Sequence, residues 1–357
     1  MSATYRLVNW NRHKVIYDGI VIAGMLLFVV VSMVLGTVLH AGEAAPDPMV
    51  QLIGATGALA ATMLTIILCI GPLARLKPTL FLPILYNRRH LGVLTFVAAA
   101  AHAVLVLLYY GGFGVVNPIE AIYGASGGMP FELFGFLALS IMFVLAATSH
   151  DFWLATLSPT VWKSLHMLVY AAFALLVLHV AFGAMQTPEK AMLVPALLGG
   201  ATVLVGGLHI AAGWRERGRD ASGAEPSDGW IDIGSANDIP VDCARVVCVK
   251  GAERVAVFRE ADDDGSTLSA ISNVCAHQGG PLGEGKIVDG CVTCPWHGYQ
   301  YKPRDGTSPP PYSEKLPTYE LRLHGKRVLL NPEPLEPGTA TTPVRVPADD
   351  ASGGASA

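Results

Sequence analysis

Long apolar stretches fill the first 214 residues and then stop. Six are long enough to cross a bilayer, at 19–40, 50–74, 91–110, 131–149, 163–184 and 191–213. Each supplies about the 20 mostly apolar residues that ~30 Å of hydrocarbon requires. Lipid cannot satisfy open backbone groups, so these stretches predict helices. Beyond residue 228 the pattern shortens to β-like runs: WIDIG, ARVVCVK, ERVAVFRE, TLSAISN and KIVDGCVTC. YELRL and KRVLLN flank His324-Gly325 and read as a hairpin. The predicted fold class is α + β in two domains, a six-helix transmembrane bundle followed by a small all-β domain. The expected divisions are an N-terminal segment 1–18, the bundle 19–213, a polar linker 214–228, the β domain 229–331 and a tail 332–357. The tail is rich in Pro, Ala, Gly and Asp, which predicts disorder.

Composition sharpens this picture. Of 357 residues, 52% are hydrophobic, and the mean hydropathy of +0.45 exceeds that of an ordinary soluble protein. From Arg215 onward 15 Lys+Arg face 21 Asp+Glu, so no basic face for nucleic acid is expected. The first apolar run is too long for a cleavable signal and reads as an anchor. Arg6, Arg12, Lys14, Arg75, Lys77, Arg88, Arg89, Lys163, Arg215, Arg217 and Arg219 fall on one side of the spans, and the alternate loops hold only Lys190. The positive-inside rule then predicts an inner-membrane protein with both termini cytoplasmic. The six cysteines do not form a secreted disulfide pattern; two of them lie near histidines at metal-ligand spacing.

Histidines inside spans carry the chemistry, because an ionisable residue in a bilayer is costly. His102 lies mid-span in AAAAHAVL, and His166 and His179 lie in KSLHMLVYAAFALLVLH. His102 is 12 residues beyond His90, and His179 is 13 beyond His166. At 1.5 Å per residue these are about 18 and 20 Å of helix. Spans three and five run in the same direction, so His102 can face His179 at one depth and His90 can face His166 nearer the cytoplasm. Two imidazoles from facing helices supply both axial positions of a b-type haem, giving one haem or two. His40, His150 and His209 read as structural.

The run GPLARL…NRRHLGVLTFVAAAAH, followed by WKSLHMLVYAAFALLVLH, resembles the ferric-reductase-like transmembrane domain. Within that family it is similar to the haem-binding subunit of the bacterial system that repairs methionine sulfoxide outside the cytoplasm. The resemblance covers about 50–185. It implies haem ligation by His102 and His179 and a haem-related role for His166. Arg88, Arg89 and Gly92 match the family's RR-x-LG pattern, with His90 at the x position.

In the β domain, CAHQGGPL holds Cys275 and His277, and CPWHGYQY holds Cys294 and His297. Two cysteines can hold one iron while two histidines hold the other; a Cys2His2 zinc site is the alternative. Glycines 279, 280 and 298 permit close backbone approach, and Pro281 and Pro295 stiffen the loops. The pattern C-x-H then C-x-x-H, with SPPPYSEKLPTY downstream, resembles the Rieske [2Fe-2S] domain over about 229–331. Quinol-oxidising members have an extra cysteine pair and a serine where this chain has Gly280, Trp296 and Tyr299. The chain is instead similar to Rieske ferredoxins and ring-hydroxylating oxygenases. That predicts a potential near the low end of the roughly −150 to +300 mV class range.

Taken together, these features predict a membrane electron-transfer protein. A cytoplasmic donor, either a ferredoxin or a flavin or NAD(P)H reductase, would reduce it. A membrane quinone, a metal or a periplasmic protein would accept the electron. A Rieske-dependent membrane oxygenase or desaturase component is a competing reading, and a redox sensor is another.

Overall fold

The computed structural model describes residues 12–39, 47–85, 87–111, 114, 116–120, 131–150, 153, 156–157, 159–186, 192–220, 229–249, 253–262, 265–277, 279–295, 298–310 and 312–347. The chain divides into one unit of residues 1–72 and 87–209 and another of residues 73–86 and 210–357.

The helices are α1 (Arg12–Leu39), α2 (Pro48–Leu76), α3 (Pro78–Leu85), α4 (Arg88–Tyr109), α5 (Phe131–Ala147), α6 (Pro159–His166), α7 (Val169–Met185) and α8 (Leu193–Asp220). Among the described residues five segments are long and apolar enough to cross a membrane, and α5 is a shorter apolar helix of 17 residues. In α2 the pairs Ala55/Thr56, Leu59/Ala60, Met63/Leu64 and Ile67/Leu68 are buried, one pair per turn. On α1, by contrast, Leu26, Leu27, Val30, Val34 and Val38 are exposed, as a lipid-facing helix requires. Hydroxyls in the spans bond back within their own helix: Thr56, Thr65, Thr95 and Ser140 each donate to the carbonyl four residues earlier.

The fifth predicted span is broken. α6 and α7 are joined at Met167 and Leu168, where Leu168 N–H donates to Leu165 O and Tyr170 N–H to Met167 O, three residues back rather than four. The helix α8 continues through Asp220, so the first part of the expected linker is helical; 221–228 lie outside the described residues.

The β strands are β1 (Ile231–Ser235), β2 (Ala244–Cys248), β3 (Arg254–Asp262), β4 (Gly265–Ser272), β5 (Lys286–Val288), β6 (Cys291–Thr293), β7 (Gln300–Tyr301), β8 (Thr318–Tyr319), β9 (Leu321–His324), β10 (Arg327–Leu330) and β11 (Val344–Pro347). They form sheets ordered β1-β10-β9, β11-β4-β3-β2 with β8 on β4, and β5-β6-β7. β3 separates two cores. Val255 and Val257 face one, with Leu268, Ala270 and Val328; Ala256 and Phe258 face the other, with Ile271, Leu282, Val292 and Tyr301. A strand buried on both faces reads as an unbroken apolar run, as RVAVF does.

Two expectations need correction. KIVDGCVTC is two strands, because Asp289 and Gly290 both adopt positive φ and turn the chain into a hairpin. The tail is ordered to Pro347: β11 pairs antiparallel with β4, and Val346 is buried against the first core. Pairing with the β4 edge outweighs the Pro-rich composition around the strand.

Candidate functional site

Two loops rest on the second core of the β domain. Cys275 follows β4 and Cys294 follows β6, and both thiols are buried. The loops share one hydrogen-bond pattern. Cys275 N–H donates to Gly280 O and Gly279 N–H to Cys275 O; Cys294 N–H donates to Tyr299 O and Gly298 N–H to Cys294 O. Gly279 and Gly298 hold the same place in the two turns, at φ of 69° and 71°, where a side chain would be strained. The two cysteines are therefore presented by matching turns.

Aromatic and acidic groups close in around them. The Tyr301 hydroxyl lies 3.4 Å from Cys275 Sγ and accepts from His277 N–H at 3.3 Å. His277, with its Nδ1 buried, stacks on Tyr299 at 4.7 Å between ring centres and 10° between planes. Tyr299 donates its hydroxyl to Glu314. Burial, reinforced by that carboxylate, holds the Tyr299 phenol protonated far above its ordinary range. His297, the fourth expected ligand, lies outside the described residues, as does Trp296. Among the described residues no three metal-binding side chains are gathered.

In the helical unit, His102 on α4 and His179 on α7 come together, with ring centres 6.3 Å apart and planes at 77°. Each is held in the same way. His102 Nδ1 lies 3.0 Å from Ile53 O on α2, and His179 Nδ1 lies 2.9 Å from Phe131 O on α5. A carbonyl only accepts, so Nδ1 carries the proton and Nε2 keeps its lone pair. Four residues beyond each carbonyl stands a glycine. A Cβ on Gly57 would lie 3.0 Å from His102 Cε1, and one on Gly135 would lie 2.8 Å from His179 Nδ1. The imidazoles occupy the space those side chains would fill. α5 and α7 pack reciprocally, since Gly183 of α7 in turn faces the Phe131 ring of α5.

The remaining histidines have other neighbours. His90 Nδ1 lies 2.9 Å from the buried Asp18 carboxylate. His166 places Nδ1 3.0 Å from Trp162 O and Nε2 3.4 Å from Ser149 Oγ, and stacks on the Trp162 ring. His209 meets the Tyr170 hydroxyl at 2.9 Å.

Residues 56–177 match the family described as ferric reductase like transmembrane component. Over 174 residues the chain is 31% identical to the protein-methionine-sulfoxide reductase heme-binding subunit MsrQ of Bordetella pertussis, covering 48% of this chain and 79% of that one. This chain belongs to the ferric-reductase-like transmembrane family. To that half it adds a Rieske [2Fe-2S] domain, matched over residues 229–320. There it is 32% identical over 105 residues to the anthranilate 1,2-dioxygenase ferredoxin subunit of Burkholderia cepacia, covering 29% of this chain and 91% of that one. It is also 34% identical over 93 residues to cholesterol 7-desaturase nvd 1 of Ciona intestinalis, covering 26% of this chain and 19% of that protein. The ferric-reductase-like half and its apolar helices make the chain a multi-pass membrane protein.

The donor sets suit such groups. Two metal–imidazole bonds of about 2 Å each, with half a ring on either side, span about 6 Å. The 6.3 Å between the rings of this ferric-reductase-like bundle matches that span. The paired buried thiols suit an iron–sulfur cluster. Sequence reasoning missed the glycine sockets, Asp18 and Glu314. Each socket is a single glycine on its helix, Gly57 on α2 and Gly135 on α5, with no paired glycine four residues away to mark it.

Proposed function

We propose that this chain is a membrane electron-transfer protein. In this reading Cys275, His277, Cys294 and His297 hold a [2Fe-2S] cluster, and His102 and His179 hold a b-type haem. When bound, each group takes up and releases one electron. The observation that carries the reading is the His102–His179 pair in the same chain as two matching cysteine loops.

The chain's own residues supply position and electrostatics. The Ile53 and Phe131 carbonyls orient the imidazoles and make them stronger donors, the outer-shell role typical of metal-bound histidine. The Tyr301 hydroxyl withdraws charge from Cys275 sulfur. His90 and His166 are also held at Nδ1, by the Asp18 carboxylate and the Trp162 carbonyl, so to hold a second haem His166 would have to give up its Nε2 contact to Ser149 Oγ. Both termini are proposed to face the cytoplasm. A cytoplasmic ferredoxin or flavin reductase then serves as donor, and a quinone, a metal or a periplasmic protein as acceptor.

The test is the detergent-purified full chain with its visible spectrum, haem and iron content and low-temperature EPR. His102→Ala and His179→Ala should each abolish b-type absorption and keep the Rieske EPR signal. A haem spectrum that survives both substitutions refutes the ligand assignment.

A further inference from the structure

Most of the conspicuous features belong to the two sites above. The aromatic group on the outer side of His277 does not. Tyr299 touches two rings. His277 is at 4.7 Å and nearly parallel; Tyr312 is also at 4.7 Å and tilted by 53°. The Tyr299 hydroxyl is anchored on the Glu314 carboxylate, which also accepts the Ser313 N–H at 3.0 Å. Tyr299 therefore cannot slide across the imidazole without breaking its bond to Glu314, nor tilt away without displacing Tyr312.

We infer that Tyr299, anchored by Glu314, is a positioning residue that fixes the plane of the His277 ring. The inference rests on the reading that His277 holds the cluster. A ring stacked at 10° on another is held in one plane, and the nitrogen lone pair lies in that plane, so the plane in which the lone pair points is set from outside the ligand set. The anchor also has a charge. Glu314 is a carboxylate beside the ring, and its carboxyl stays ionised below the usual range while Tyr299 donates to it. A fixed negative charge favours the oxidised centre. This is the place where Tyr299 replaces the serine of the quinol-oxidising pattern.

Full-length protein in detergent tests this by pulsed EPR of the histidine nitrogen couplings, redox titration, and iron and sulfide content. His277→Ala examines the underlying reading separately: it should lose the Rieske signal, and a retained signal means that His277 is not a ligand. Tyr299→Leu should load iron and sulfide as wild type does, but with altered nitrogen couplings and a shifted midpoint. Tyr299→Phe keeps the stack, so its couplings should return toward wild type while the midpoint stays displaced. Glu314→Gln removes the charge, so its midpoint should rise. Wild-type couplings and midpoint in Tyr299→Leu overturn the inference. If that variant fails to load a cluster, the other two decide: nitrogen couplings displaced from wild type in either support the inference, and wild-type couplings in both overturn it.

Discussion

Gly135→Ala places a methyl group where His179 now sits. The added Cβ would stand 2.8 Å from Nδ1, 2.9 Å from Cε1 and 3.2 Å from Cγ of that ring. Carbon contacts settle at about 3.5–4.0 Å, so the imidazole must retreat by roughly 0.5–1 Å. Retreat stretches the 2.9 Å bond to Phe131 O and changes the 6.3 Å spacing to the His102 ring. Overpacking of this kind costs about 1–3 kcal/mol. If that cost falls on the ligated state, haem affinity drops by roughly 5- to 150-fold, at tenfold per 1.4 kcal/mol. Gly57→Ala should lose less, since its Cβ would meet His102 at 3.0 Å. Gly183→Ala meets the Phe131 ring at 3.1 Å and reaches His179 only indirectly, through the residue whose carbonyl holds it, so it should lose less than Gly135→Ala. The assay is haem titration of the detergent-solubilised apoprotein, followed by Soret absorption and low-spin EPR. A Gly135→Ala protein with wild-type affinity and spectrum refutes the socket argument.

Other outcomes follow from the β domain. Tyr301→Phe removes the hydroxyl 3.4 Å from Cys275 Sγ and should lower the cluster midpoint in a redox titration; about 1 kcal/mol of lost hydrogen bonding corresponds to about 40 mV for one electron. Phe258→Ala empties a buried site in the cluster-bearing core and should destabilise the domain by about 3–5 kcal/mol in denaturant unfolding. The hydrogen bond from Arg327 holds the Asp232 carboxyl below its usual range. A depressed carboxyl stabilises the fold above its unfolded pKa of about 3.9, and that gain is lost as pH falls through the folded value. Asp232→Asn should therefore lower the melting temperature at pH 7, and the gap to wild type should close in acid.

The cysteine loops and the apolar spans were legible because side-chain identity carries their information. CAHQGGPL and CPWHGYQY show their cysteines and histidines outright, and the similar helix lengths between histidines, 12 and 13 residues, predict that His102 can face His179, as it does. The sockets were not legible, since the acceptors are the backbone carbonyls of Ile53 and Phe131, which any residue could supply. The partner of His90 was hidden for a different reason. Asp18 was counted as part of the polar N-terminal segment, yet α1 begins at Arg12 and carries that carboxylate into the bundle. In the tail, Val344 and Val346 form a strand only because β4 offers an edge, a long-range pairing that local composition does not encode.

The reciprocal fit of α5 and α7 limits how the bundle can be assembled. Each helix has a vacancy cut to the other's ring: Gly135 receives His179, and Gly183 receives Phe131. A shift of one residue along either axis would set both rings against methyl-bearing or larger neighbours at once. The pair thus works as a key with two teeth, admitting a single alignment. The imidazole orientation is thus fixed by groups of the two helices themselves.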